Sequence, residues 1–234
     1  MILKILITVI GLIVLLCYIP EKIKGASVKA LILKSIVSCC FLALAMTALP
    51  GAANSFPVYI TAGLFCGLMG DIWLDLKLVY PKDDAPYTFA GFIFFAIGHV
   101  FFIVGLILNY GMPFKPLMIV GALVISAIVG VAIVIMGPML KLDYGRFKGI
   151  SMVYAPLLLG TTLISLVLII QNGLGANVPT VMFFGGVLFL ASDLVLSGTY
   201  FGSGKDRPID TIANYAAYNG AQFVIAWAAV MAGL

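Results

Sequence analysis

Four ionisable side chains stand within long apolar stretches of this chain: Asp71, Asp75, His99 and Asp193. On insertion scales an aspartate costs about 2.5–3.5 kcal/mol at the centre of a membrane helix, so such residues are retained for a purpose. Asp71 and Asp75 are spaced i, i+4 and share one helix face. A second polar set, Tyr215, Tyr218, Asn219 and Gln222, follows i, i+3, i+4, i+7, again one helical face. Two carboxyls near each other in a low-dielectric cavity divide acid–base work, one protonated and one ionised. Asp71 and Asp193 are the catalytic candidates: each follows a small residue, Gly70 or Ser192, with no basic partner nearby in sequence. Asp75 is either a third member of the set or a side chain that snorkels to the interface and pairs with Lys77 or Lys82. His99, the one histidine, is a proton relay for the pair or a hydrogen-bonder between helices.

These residues need spanning helices to position them. Of the 234 residues 63% are hydrophobic and 9% charged, with a mean hydropathy of +1.21. A soluble domain carries about 25% charged residues. The composition therefore excludes a cytosolic enzyme, a disordered regulator, a coiled coil and a disulfide-stapled secreted domain. Eight segments reach the roughly 20 apolar residues that a spanning helix requires: 1–19, 30–49, 58–76, 87–110, 116–138, 150–170, 178–196 and 212–234. The breaks carry turn chemistry: Pro20-Glu21, Pro50-Gly51, Pro81 to Asp84, Gly111-Met112-Pro113, Gly145, Gln171-Asn172-Gly173 and Gly202-Ser203-Gly204. The expectation is one all-α transmembrane domain of eight helices. The N-terminal run resembles a signal peptide but has no A-x-A cleavage site, and it reads as the first span.

Lysine and arginine orient the bundle. Eleven lie after odd-numbered spans: Lys22, Lys24, Lys29, Lys34, Lys77, Lys82, Lys141, Arg146, Lys148, Lys205 and Arg207, leaving Lys4 and Lys115 for the other side. The positive-inside rule then places both termini away from the cytoplasm, and the membrane would be the inner one if the chain is bacterial. Asp71 precedes Lys77 by six residues, roughly 9 Å at 1.5 Å per residue. Asp193 and the start of the span 8 stripe fall at comparable depth, which predicts one polar cavity in the cytoplasmic half. Gly70-Asp71-Ile72-Trp73-Leu74 resembles Ser192-Asp193-Leu194-Val195-Leu196, and Asp71 precedes His99 by 28 residues as Asp193 precedes Gln222 by 29. A 4+4 duplication would bring Asp71 and Asp193 face to face. Gly63, Gly67 and Gly70 read as a close-packing face.

Other chemistries fit less well. One histidine does not make the three-His zinc site of receptor-like membrane hydrolases, so no metal and no cofactor is expected. There is no G-x-S-x-G, and Ser192 has no histidine close in sequence. Cys17, Cys39, Cys40 and Cys66 lack metal spacing and read as packing residues. The net charge of +4 is scattered and makes no nucleic-acid face.

At these residues the chain resembles the YhhN-like lysoplasmalogenase family of membrane proteins. The matching stretches are Gly63-Leu64, Leu68-Met69-Gly70-Asp71, Phe92, Gly98-His99, Phe189-Leu190-Ala191-Ser192-Asp193, Tyr200-Phe201, Tyr218 and Ala221-Gln222, within roughly 60–230. The resemblance implies eight spans and hydrolysis of the vinyl ether bond of lysoplasmalogens to a fatty aldehyde and a glycerophospho-ethanolamine or -choline. It also implies two essential intramembrane aspartates, here Asp71 and Asp193. Asp75 and Asn219 stand outside the family pattern.

A vinyl ether is cleaved by protonating its β-carbon, which gives an oxocarbenium ion that water captures. One aspartate would supply the proton, and the other would stabilise the cation and activate water, as in glycosidases. The sequence does not assign which does which. His99 would tune the pair. Tyr218, Asn219, Gln222 and Ser192 would position water or the glycerol hydroxyl. Trp73 or Tyr200 would hold a choline or ethanolamine head by cation–π contact, or simply pack. The expected partner is a lysophospholipid drawn from the membrane, with no nucleic acid or protein partner. Intramembrane carboxylates would also suit a proton-coupled solute carrier or a lipid-binding protein without turnover.

Overall fold

The computed structural model describes residues 1–25, 27–111, 116–173, 175, 177–202 and 207–233. Expectations that rest on Met112, Pro113, Lys115, Ser203, Gly204, Lys205 and Leu234 lie outside the described residues. Eight long helices account for nearly all of the chain: α1 (Ile2–Lys24), α2 (Val28–Met46), α3 (Phe56–Val79), α4 (Asp84–Tyr110), α5 (Pro116–Ile135), α6 (Lys148–Asn172), α7 (Val178–Phe201) and α8 (Pro208–Ala232). Short 3₁₀ turns precede α4 and bridge α5 to α6, and no strand occurs among the described residues.

Local chemistry sets the helix ends. The Ser27 and Asn177 side chains accept hydrogen bonds from the backbone N–H of Ala30 and Thr180, capping α2 and α7. Pro57, Pro179 and Pro208 occupy first turns, where a missing N–H costs no helical bond. Gly25 ends α1 at φ 126°, a conformation that favours glycine. Pro20-Glu21 does not break the first helix as expected. Pro20 lies inside α1, which runs on to Lys24, and its last turn is held by an ion pair from Lys22 to Asp75 on α3.

Seven of the helices are long and apolar enough to cross a membrane, which makes the chain an integral membrane protein. The exception is α8. It is as long as the others, but Asn214, Tyr215, Tyr218, Asn219 and Gln222 lower its apolarity, and all five are buried among the other helices. The outer surface is a belt of exposed Ile, Leu and Val, densest on α1 and α5. Cys17 and Cys39 belong to that outer face, which corrects their assignment as internal packing residues; Cys66 is buried.

Glycines bring helices close. A Cβ at Gly63 would collide with the Phe102 ring and stand 2.9 Å from the Gly98 carbonyl, and one at Gly70 would meet the Phe95 ring at 2.7 Å. Gly67 faces α8 instead, 2.9 Å from Gln222 Nε2. The neighbour pattern recurs along the chain. α1–α2, α2–α3, α3–α4 and α2–α8 have counterparts in α5–α6, α6–α7, α7–α8 and α6–α4. The recurrence breaks at α3–α8 and α1–α8, which have no equally extensive α7–α4 and α5–α4 counterparts.

Candidate active site

A cavity lies at the end of the bundle where α3 and α7 finish and α2, α4, α6 and α8 begin. Its empty space, counted out through the open mouth, is about 760 Å³. Asp71 and Asp193 both line it. So do Ser192, Tyr200 and Tyr218 among the residues singled out from sequence, and its apolar wall is formed by Leu74, Phe92, Phe95, Phe189, Leu196 and Phe201.

The two aspartates have different partners. Asp71 is 1% exposed. Its Oδ1 lies 3.0 Å from Lys34 Nζ, and its Oδ2 accepts a 2.6 Å hydrogen bond from the Ser38 hydroxyl; both partners are on α2. Asp193 is half-buried. Tyr154, on α6, donates a 2.5 Å hydrogen bond to its Oδ2, and among the described residues no cation pairs with it.

Lys34 corrects the sequence reading. The sequence puts it at the start of span 2 among the orienting charges of the interface, whereas it is the seventh residue of α2 and is buried. Asp71 therefore does have a basic partner, brought from another helix. Asp75 is corrected as well. It does not reach the interface to pair with Lys77 or Lys82. It is buried, takes Lys22 Nζ at 2.6 Å and the Tyr18 hydroxyl at 3.4 Å, and stands 3.8 Å from Lys34. Lys77 turns to Asp84 at 3.7 Å and places its ammonium 3.5 Å from the Tyr200 ring centroid. A cation–π contact at Tyr200 thus exists, and the cation is the protein's own.

The remaining candidates are sorted by the packing. His99 does not line the cavity. Its Nδ1 forms a 2.9 Å hydrogen bond with the Thr161 hydroxyl. Its ring packs on Tyr154 at 5.8 Å, so it buttresses the partner of Asp193. Tyr218 Oη accepts from Gln222 Nε2 at 2.8 Å, so Gln222 supports the cavity through Tyr218. Asn219 spends its Nδ2 on the Tyr215 carbonyl, and its Oδ1 is buried without a hydrogen bond. Trp73 faces away from the cavity: two residues from Asp71 on the helix, it stacks on Tyr87 at 5.6 Å. Ser192 donates to Asn214 Oδ1 at 2.7 Å rather than serving a histidine. Among the described residues no three His, Cys, Asp or Glu side chains converge as metal ligands.

Sequence reasoning missed Lys34, Tyr154, Ser38 and Asn214. A lysine four residues into the expected second span was a visible signal for the first. The others are neutral side chains of ordinary type for a membrane helix, and nothing in the sequence alone marks them. At the rim Tyr144, on the turn between α5 and α6, also lines the cavity, and burial pushes its phenol above the ordinary range.

The residues that line this cavity all lie within residues 29–229, and that stretch matches the YhhN family. The chain belongs to the YhhN family. No curated protein and no solved structure matches it. In this YhhN-family protein the matched stretch includes Lys34, Asp71, Tyr154 and Asp193, while the whole of α1 lies outside it.

Proposed function

We propose that this protein hydrolyses the vinyl ether bond of lysoplasmalogens, with Asp71 and Asp193 sharing the acid and base roles. The observation that carries the reading is that both aspartates line one apolar-walled cavity in a YhhN-family bundle. The reaction adds water across R–CH=CH–O–R′. A carboxylic acid gives its proton to the β-carbon, leaving an oxocarbenium ion and a carboxylate. The second carboxylate accepts a proton from the attacking water, and the resulting hemiacetal collapses to the aldehyde R–CH2–CHO and the alcohol HO–R′. Carbon protonation is the slow step, and a fixed pair of carboxyls serves it by general acid–base catalysis. The aromatic wall suits the alkenyl chain. A lyso-lipid already resides at this depth, so the substrate enters from the leaflet. The excess of Lys and Arg at the cavity end supports a cytoplasmic position for that end, with both termini on the opposite side.

The test is aldehyde release from a vinyl-ether lysophospholipid by detergent-purified protein, with and without chelator, beside Asp71→Asn and Asp193→Asn. Release that persists in chelator and falls by about 100-fold or more in both variants supports the reading. No aldehyde from folded wild type overturns it.

A further inference from the structure

The two aspartates sit at equivalent places in the two halves of the chain. Asp71 is 15 residues from the start of α3, and Asp193 is 15 from the start of α7; a proline stands second in each helix. Lys34 is six residues into α2, and Tyr154 is six into α6. Packing keeps the same register. A Cβ at Gly63 meets Phe102 and the Gly98 carbonyl, and one at Gly185 meets Ile225 at 2.7 Å and the Ala221 carbonyl at 3.5 Å. Gly63 to Gly185 is a shift of 122 residues, as is Asp71 to Asp193; Gly98 to Ala221 and Phe102 to Ile225 are both shifts of 123.

We propose that the cavity is built from two equivalent half-sites, and that Lys34 in one and Tyr154 in the other are the positioning residues that make their aspartates unequal. This rests on the hydrolase reading above and assigns its roles. In the first half-site the α2 residue is a cation, 3.0 Å from Asp71, with its ammonium 5.3 and 5.7 Å from the Tyr215 and Tyr218 rings of α8. In the second the α6 residue is a neutral phenol that hydrogen-bonds Asp193, its ring 5.4 Å from Phe92 of α4. A carboxylate beside a buried ammonium keeps its charge. A carboxyl set among aromatic walls, with no cation beside it among the described residues, is held as the neutral acid by desolvation, and the phenol's hydrogen bond stabilises the carboxylate once the proton has left. Asp193 therefore delivers the proton, and Asp71 stabilises the oxocarbenium ion and takes the proton of water.

The other charged groups preserve this asymmetry. Lys34 also faces Asp75 of α3, but Asp75 has Lys22 and Tyr18 of α1 as further partners. Tyr200 of α7 and the two α8 tyrosines are neutral neighbours of the ammonium. Asp193 has Tyr154 of α6 as its hydrogen-bond partner.

Infrared spectroscopy of the detergent-purified protein tests this without turnover, because a buried neutral carboxyl has a carbonyl stretch distinct from that of a carboxylate. The wild type should show one such band at neutral pH, lost in Asp193→Asn and retained in Asp71→Asn. Lys34→Met should gain a second band that Lys34→Met/Asp71→Asn lacks, and Lys34→Arg should keep the wild-type spectrum. In turnover, Lys34→Met should lose about 100-fold at neutral pH and recover as pH rises, while Lys34→Arg stays near wild type. If Lys34→Met does not fold, the Asp193→Asn and Asp71→Asn spectra still decide. A band that belongs to Asp71, or a folded Lys34→Met with the wild-type spectrum, overturns the proposal. A wild type that releases no aldehyde but gives the expected spectra overturns the hydrolase reading and leaves the unequal half-sites standing.

Discussion

Replacing Lys34 by methionine should destabilise the bundle far more than loss of an exposed ion pair would. The ammonium is 3.0 Å from Asp71 Oδ1 and 3.8 Å from Asp75 Oδ1, and Lys34 and Asp71 are 4% and 1% exposed. At an effective dielectric constant of about 20 the closer pair attracts by about 5.5 kcal/mol, which offsets the desolvation of both ions. Lys34→Met leaves Asp71 with only the neutral hydroxyls of Ser38 and Tyr218, and uncompensated buried charges of this kind cost about 3–5 kcal/mol. Asp71→Asn is milder, about 1–3 kcal/mol, because the ammonium keeps Asp75. The double variant removes both charges and should cost at least about 2 kcal/mol less than the two singles added. Unfolding by ionic detergent in mixed micelles, followed by the fluorescence of Trp73 and Trp227, gives the three free energies. Single-variant costs that add to the double within about 0.5 kcal/mol would refute the coupling, since independent sites behave that way.

Three other outcomes test the packing and the sorting of candidates. Gly63→Ala should destabilise the protein by about 1–3 kcal/mol, because the new methyl meets the Phe102 ring and the Gly98 carbonyl; the same unfolding assay reads it. Trp73→Phe should leave aldehyde release unchanged and stability equal or higher, since the indole N–H is buried without a hydrogen-bond partner and the ring lies outside the cavity. A loss of turnover there would return Trp73 to the substrate site. A membrane-permeant maleimide should label Cys17 and Cys39 in the folded protein and spare Cys66, with mass spectrometry of the labelled peptides as the readout.

Much of the architecture was legible because a membrane helix has to be apolar for about 20 residues. The helix order, the glycine face of α3 and the convergence of Asp71 and Asp193 all follow from that constraint and from the cost of intramembrane charge. The misreadings share a cause. Lys34 and Asp75 stand near helix ends, where a charge in sequence looks free to reach water; only the neighbouring helices reveal that water is excluded there. Asn219 and Gln222 form the expected stripe, yet an amide N–H can find its acceptor on its own helix, as Asn219 does on the Tyr215 carbonyl and Gln222 on Tyr218. Tyr154 carried no signal at all, since a tyrosine in a membrane helix is unremarkable until its hydroxyl is seen on Asp193.

Charge balance explains why one aspartate rather than the other should give up a proton. Lys22, Asp75, Lys34 and Asp71 form a contiguous chain of ion pairs with two positive and two negative ends, so the cluster is neutral as a unit. Protonating Asp71 would leave that unit with an uncompensated positive charge at low dielectric, while Asp193 as the neutral acid leaves the cavity balanced. On the proposed mechanism the proton leaves Asp193 for the substrate carbon, and the negative charge that appears there is matched by the oxocarbenium ion formed at the same moment. The site then passes through its most polar state without net charge, which a buried cavity stabilises better than water would, provided its dipoles are already in place. The Tyr154 hydroxyl, fixed on Asp193 and backed by the His99 ring, is the dipole placed to do this.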